Sequence, residues 1–386
     1  MMTFGSEELD VLVAGAGPAG SVAALELARR GARVLLVEPR DAELPRVGES
    51  LAPDVQAALR ELDLWRGFTE LSPLPSSGTI SVWGHAAPQA HSHLMSPYGC
   101  GWHVDRAAFD AMLTRAAVSA GASLLRGARL SKAERVSGGY TARLVHCGDR
   151  SHGAPQTLHL RARVLLDASG RSARPSRDQG ADCLLFDQLV GISARVGAAR
   201  ESERHHLLVE ATPEGWWYSA PLPSRSGAAP QMLVTLMTDA DLCRRDRLSA
   251  AATWRAALER APSTLERVGS IPPRTAPQVC CAQSQRQRRS VALLERPWVA
   301  LGDAASAVDP ISGSGVLRAL RSGRAVAEVT RNLLERPHAI AEIMAANEAA
   351  CDRDWSRYLA ERAYYYAAEQ RFETDFWKRR RWPLAA

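Results

Sequence analysis

Asp10-Val-Leu-Val-Ala-Gly15-Ala-Gly17-Pro18-Ala19-Gly20, followed after a helix-like stretch by Val34-Leu-Leu-Val-Glu38, decides the architecture of the first part of this chain. It reads as a strand, a tight glycine turn, a helix and a second strand ending in an acid, the geometry that holds a dinucleotide. Gly15 permits the turn, Gly17 lets backbone amides approach a pyrophosphate, and Gly20 allows close helix–strand packing. Pro18 and Ala19 complete the contact stretch, the helix N-terminus adds partial positive charge, and Glu38 accepts hydrogen bonds from a ribose. A GxGxxG string also occurs as an ordinary Gly-rich turn. Here the flanking strands, the helix and the spaced acid all agree on the nucleotide reading.

The chain is long enough, at 386 residues, for two interleaved domains. It is 46% hydrophobic, has no run of about 18 apolar residues, and lacks an N-terminal basic region leading into an apolar one. A cytoplasmic protein without a membrane span is expected. Seven cysteines, an odd number without C-x-x-C spacing, argue against structural disulfides or a cysteine zinc site. No metal constellation is present, since His205 and His206 are adjacent and His91 and His93 lack a nearby partner motif. There is no G-x-S-x-G elbow for Ser/His/Asp hydrolysis. The net charge of +6 rests on arginine, the lysines being Lys132 and Lys378. Arg286, Arg288 and Arg289 form the one tight cluster, too short for a nucleic-acid tract, and are expected on a solvated face. An acidic partner or a phosphorylated cofactor is the alternative for them.

Along the chain, the βαβ unit comprises a strand over 10–14, a helix over about 21–30 and a strand over 33–38. An amphipathic helix runs to Leu62. The Pro-, Ser-, Gly- and His-rich stretch 73–98 holds a short strand over 79–83 and reads as an excursion into a second layer. A helix opening after Trp102 runs to about Ala120, a strand lies near Ser123, and Gly138-Gly139 turns a hairpin. From about Asp182 to Arg274 the pattern is strand-rich, clearest over 207–210 and 231–237. Beyond Gly302 the chain is helical to its end.

Trp298-Val-Ala-Leu-Gly302-Asp303, with Asp309-Pro310-Ile-Ser-Gly313-Ser314-Gly315 after it, resembles the segment of FAD-dependent hydroxylases and halogenases whose Asp contacts the flavin's ribityl chain. In those proteins the Gly-rich helix start faces the isoalloxazine ring. Val164-Leu-Leu-Asp167-Ala-Ser-Gly170-Arg171 resembles their Asp-Ala-Thr-Gly element, and Gly48-Glu49-Ser50 an element near the flavin. Gly215-Trp216-Trp217-Tyr218-Ser-Ala-Pro221 is similar to the Trp-x-Trp-x-Ile-Pro signature of flavin-dependent halogenases. Those enzymes use a lysine about thirty residues beyond Gly-Glu-Ser. This chain has no lysine before Lys132, and Ser312 and Gly313 stand where tryptophan halogenases carry Glu-Ser, so halogenation is disfavoured.

A fuller resemblance is to the LodB-like and GoxB-like flavoproteins that mature cysteine tryptophylquinone. It rests on Ser81-Val-Trp83-Gly84, on Pro97-Tyr98-Gly99-Cys-Gly101-Trp102-His103-Val-Asp105-Arg106 with Phe109-Asp110, on the Trp216 segment and on the tyrosine-rich end with Phe376-Trp377-Lys378-Arg379-Arg380. The resemblance implies an α/β fold of the p-hydroxybenzoate hydroxylase type. A Rossmann-type FAD domain would span 1–72, 99–180 and 281–335, with a sheet-based α+β substrate domain over 73–98 and 181–280 and a helical segment over 336–386. It implies a monooxygenase in which reduced FAD and O2 form a C4a-hydroperoxide that hydroxylates an indole ring, that of a tryptophan in a partner protein. Electrons would come from NADH or NADPH, or from a separate flavin reductase. Alternatives are a hydroxylase of a free aromatic metabolite, a flavin-dependent C=C reductase, and a non-enzymatic flavin-bearing docking factor. Nucleic acid and membrane are not expected as partners.

By the same resemblance Arg46, Ser50 and Arg106 join the flavin contacts, with Gly302, Asp303, Pro310, Gly313, Ser314 and Gly315; surface salt bridges are the other reading of the two arginines. Five residues are candidates for catalysis. Glu49 stabilises a substrate cation or else caps the helix that follows, and His103 is a base or a structural residue. Trp216 and Tyr218, with Trp102 and Trp217, form an aromatic wall or simply core. Adjacent Trp216 and Trp217 point to opposite faces of an extended segment, so at most one lines the site. Asp309 is catalytic or shapes a turn against the ring.

Overall fold

The computed structural model describes residues 8–40, 48–146, 157–198, 205–223, 230–270 and 276–381. Leu9–Ala14 lies between Val34–Glu38 and Thr157–Asp167, parallel to both, with Val11 opposite Val34 on one side and Val164 on the other. Ser123–Arg126 extends this parallel set beyond Val34–Glu38, and Trp298–Ala300 pairs with the end of Thr157–Asp167. These strands read as unbroken apolar runs because both faces are covered. Val11 and Val13 pack with the helices Pro18–Arg29, Arg106–Ser119 and Gly315–Glu335, whereas Leu12, Leu35 and Val37 pack with Tyr140 and Ala142 on the other side.

The start of Thr157–Asp167 instead pairs antiparallel with Gly139–His146, which turns at Gly138, φ +83°, into Ala128–Val136 as the sequence predicts. The first helix begins at Pro18, three residues before the expected start, because proline's fixed φ and missing N–H suit the first helical position.

A second sheet runs in the order Val268–Ser270, Leu189–Ala198, Gln231–Asp239, Gly215–Leu222, His206–Thr212, Gly78–Val82, Gln89–Ser92. Gly78–Val82 pairs parallel with His206–Thr212, so the 73–98 excursion does join the second layer. Trp217, Ile192 and Val234 cover one face under Trp254 and Leu258. Tyr218, Thr235 and Ser193, which are cross-strand neighbours, lie on the other.

Two features depart from expectation. The stretch read as strand-rich also contains the helices Ala240–Arg245, Ala251–Leu258 and Pro262–Arg267. The last is capped from a distant strand: Glu210 Oε2 accepts from Thr264 N at 2.7 Å and Oε1 from Ser263 N at 3.2 Å, a cap invisible to local sequence. The expected solvated face at Arg286 and Arg289 is core. Arg286 pairs with Glu348 at 2.9 Å, and the Arg289 guanidinium lies 3.7 Å from the centre of the Trp298 ring while donating to the Leu293 and Arg296 carbonyls. Both are buried because these carboxylate, carbonyl and ring contacts offset most of the cost of desolvating the guanidinium, although neither Nε has a hydrogen-bond partner among the described residues.

The chain ends in the helices Ile340–Ala368 and Asp375–Arg381, which close over Trp83 and Trp216 with Tyr366, Phe376 and Trp377. Among the described residues no helix is long and apolar enough to cross a membrane, and no cluster of His, Cys, Asp or Glu is placed to hold a metal ion. Cys100, Cys183, Cys243, Cys280, Cys281 and Cys351 are free thiols; Cys147 lies outside the described residues.

Candidate active site

The turn after the first strand is bare of side chains by necessity. Gly15 sits at φ +113°, where a Cβ would come 2.3 Å from the Ala168 carbonyl oxygen, and a Cβ on Gly20 would lie 2.0 Å from the Gly15 oxygen. Gly17 is the extended cap residue of the helix that follows. Glu38, buried, accepts from the N–H of Ala16 at 3.0 Å and of Arg40 at 3.3 Å. Gly302, φ +58°, abuts Ala19, and its N–H donates to Ser322 Oγ at 2.9 Å. This places the partly exposed Asp303 carboxylate 3.6 Å from Arg171. Pro310–Ser312 forms a single turn, Gly313 is left-handed at φ +61°, and Gly315 starts the long helix after Ser314. Asp167, central to the Asp-Ala-Ser-Gly element, accepts from Ser169 N at 3.0 Å and Ser176 N at 2.8 Å, which fixes the loop that faces Gly15.

Arg106 opens a helix capped by Asp105, donates to the Gly48 carbonyl at 3.3 Å and pairs with Asp110 at 3.2 Å. Gly48 is at φ +99°, with a Cβ there 2.6 Å from the Arg106 guanidinium. The next residue, Glu49, is buried; its Oε2 accepts from Gly48 N at 2.7 Å while Oε1 has no partner among the described residues. Burial pushes its carboxyl up from 4.5 to about 7, against the pull of the Gly48 N–H, Arg106 and Arg195. Ser50 Oγ meets His103 Nδ1 at 2.9 Å across the strand pair Ser50–Leu51 and Gly101–His103. His103 is fully enclosed, and burial with the nearby charges of Arg267 and His206 drives it down to about 3, so the ring is neutral. Tyr218 lies near enough to Glu49 for their charges to interact; burial and that carboxylate push its phenol up. Thr235, opposite Tyr218 in the sheet, donates to Ser193 at 2.9 Å, and the Cys280 thiol donates to the Gly191 carbonyl at 3.4 Å.

A bare glycine turn at a helix N-terminus, a buried acid behind it and an exposed Asp303 beside Arg171 suit a pyrophosphate and its flanking hydroxyls. The model of a family described as FAD binding domain matches residues 8–327. The chain belongs to this FAD-binding family. LodB of Marinomonas mediterranea, named as an FAD-dependent oxidoreductase, is 30% identical over 377 residues, covering 97% of both chains. The myxobacterial chondrochloren halogenase CndH has the same fold, with TM-score 0.84 and 23% identity over 98% of this chain and 87% of its own. So has the peptidyl tryptophan dihydroxylase QhpG, with TM-score 0.71 and 24% identity over 98% and 80%. The chain is thus an FAD-dependent oxidoreductase that shares its fold with a halogenase and with a tryptophan dihydroxylase.

Within this FAD-binding protein, Gly15, Gly17, Pro18, Ala19, Gly20 and Glu38 converge on one turn, with Gly302 packed directly against Ala19. Arg46 lies outside the described residues. The aromatic wall does not form. Trp102 packs with Trp65 and Phe68, Trp217 with Trp254, and Trp216 with Trp83 and Tyr218. The pleat sends neighbouring side chains to opposite faces, so the tryptophans are divided among separate contacts. Trp216, read as wall or core, and Asp309, read as catalytic or turn-shaping, are enclosed by protein at 1% and 0% exposure, and Asp309 Oδ1 accepts from Ile311 N at 3.0 Å within the turn. Both residues bond Tyr366, a residue sequence reasoning passed over. Its signal was the four-residue spacing of Tyr358, Arg362 and Tyr366, which puts three polar tips on one helix face.

Proposed function

We propose that this chain is an FAD-dependent monooxygenase that hydroxylates the indole ring of a tryptophan side chain in a partner protein. Support for oxygenation over halogenation comes from one observation, the position of the lysines. Lys132 pairs with Glu134 on the exposed strand Ala128–Val136 at the edge of the first sheet, and Lys378 is exposed on the last helix. Neither lysine ammonium therefore reaches the region of Glu49 and Tyr218. The likeness to LodB along its whole length and the shared fold with a peptidyl tryptophan dihydroxylase support a protein-bound indole as substrate.

FAD, when bound and reduced, supplies the oxygen-activating chemistry, with O2 as co-substrate and NADH, NADPH or a separate flavin reductase as electron source. The chain's own residues bind and shield. The glycine turn and Glu38 hold the nucleotide, Arg106 props the Gly48-Glu49 segment, and the Glu49 carboxyl is held where it exchanges a proton near neutrality. Tyr218, Thr235 and Ser193 give the substrate sheet a polar row at the same level.

The test is mass spectrometry of a tryptophan-bearing partner after aerobic turnover with reductant and added bromide. One or more oxygen atoms on the indole is the expected product. Bromine on the ring, or reductant consumed with the indole unchanged, sinks the reading. Lys132→Ala should leave turnover intact, as no halogenase-type lysine is at work.

A further inference from the structure

The helix Ile340–Ala368 lies beyond residue 327, where the FAD-binding family match ends, yet one of its faces is built into the loop that starts at Asp309. Tyr358, Arg362 and Tyr366 recur every four residues and point together. Tyr366 accepts from Trp216 Nε1 at 3.1 Å and donates to Asp309 Oδ2 at 2.7 Å. The direction is set at the indole end, since an indole N–H only donates and so leaves the single Tyr366 proton for Asp309. Asp309 Oδ1 accepts from Ile311 N at 3.0 Å, Arg362 Nε stands 3.4 Å from Oδ2, and Asp309 N donates to the Tyr358 hydroxyl at 2.8 Å. Arg362 also pairs with Asp187 at 3.1 Å, and Asp187 accepts from Ser284 N and Leu189 N at the entry to the second sheet.

We propose that Tyr366 is a positioning residue that fixes the Asp309–Gly315 loop for the flavin and ties it, through Trp216, to the substrate sheet. The Asp309 side chain folds back to brace the turn over Pro310–Ser312, so whatever orients its carboxylate acts on the turn. That orientation comes from Tyr366 and Arg362. The loop after Gly302-Asp303 therefore takes its shape from a helix outside the nucleotide fold, and a shift of Trp216 in its strand is passed on through two hydrogen bonds. The proposal rests on FAD binding alone and not on the identity of the substrate.

The experiment compares holoprotein with Tyr366→Phe, which keeps the ring packing but removes both bonds. Trp377→Phe is the control, because Trp377 loses an equally buried bond, 2.8 Å to the Thr212 carbonyl, without touching Asp309. Expected for Tyr366→Phe are a shifted visible flavin absorption band and FAD affinity weaker by about ten-fold; Trp377→Phe should lower only the melting temperature. Unchanged flavin spectrum and affinity in Tyr366→Phe, or equal changes in Trp377→Phe, overturn the proposal. If Tyr366→Phe does not fold, Trp216→Phe decides: a displaced flavin band supports the coupling, and an unaltered one refutes it.

Discussion

Glu38 Oε2 accepts a hydrogen bond from the backbone N–H of Ala16 at 3.0 Å, so the acid that ends the second strand also closes the glycine turn that ends the first. The two features that mark a dinucleotide site in sequence are thus one object in space. Removing the carboxylate in Glu38→Ala deprives the turn of its acceptor and FAD of the ribose partner proposed for it. A charged hydrogen bond is worth about 1.5–3 kcal/mol, so FAD should bind about ten- to a hundred-fold more weakly. Fluorescence titration of apoprotein measures this, and undiminished affinity would remove Glu38 from the site.

Gly323 is the contact point of the helices Pro18–Arg29 and Gly315–Glu335, where an added Cβ would come 2.5 Å from the Ala19 oxygen and 2.9 Å from Val22 Cβ. Gly323→Ala should force the helices apart at a cost of about 1–3 kcal/mol, typical of overpacking. Chemical denaturation should show a lower midpoint, with FAD affinity reduced as well because Ala19 belongs to the nucleotide turn. An unchanged midpoint would mean that the crossing yields freely.

The pH dependence of stability follows from two enclosed groups. Glu49 is raised from 4.5 to about 7, so the folded chain keeps a proton that the unfolded chain releases, and stability falls as pH climbs through that window. His103 is lowered from 6.5 to about 3, so the unfolded chain takes up a proton that the folded one refuses, and stability falls as pH drops through that window. The two oppose each other where they overlap, so the readout is the difference between wild type and Glu49→Gln. That difference in melting temperature should grow in the variant's favour as pH rises from about 4.5 to about 7. A constant difference across the range would contradict the assignment.

Arg380 Nη2 meets Asp239 Oδ1 at 2.6 Å with Nη1 3.1 Å from Oδ2, a two-pronged pair between the last helix and the substrate sheet, and both residues are buried. Arg380→Ala strands a buried carboxylate that Arg379, at 3.0 Å from Oδ2, only partly relieves. The expected loss is about 3 kcal/mol, read as an earlier urea midpoint. Double substitution with Asp239→Asn should recover part of it; failure to do so would show that ring packing against Phe376, not charge, holds the helix.

Much of this molecule is legible along the chain. The parallel strands announce themselves as apolar runs and Gly138-Gly139 as a hairpin turn. Other elements were hidden by distance. Pro262–Arg267 takes its cap from Glu210, more than fifty positions away, and Arg286 and Arg289 are buried because Glu348 and Trp298 wait for them. The candidate site divides in the same way: the contiguous nucleotide turn was read residue by residue, whereas nothing local says whether Trp216 faces a ligand or a distant helix.

By itself the sequence determined the βαβ frame and the glycine turn, because steric freedom and strand-to-helix spacing are properties of neighbouring residues. The tertiary structure decided what Trp216 and Asp309 do. Their shared partner, Tyr366, is 150 residues from the one and 57 from the other, and a buried hydrogen bond between such positions exists only once packing has closed around it.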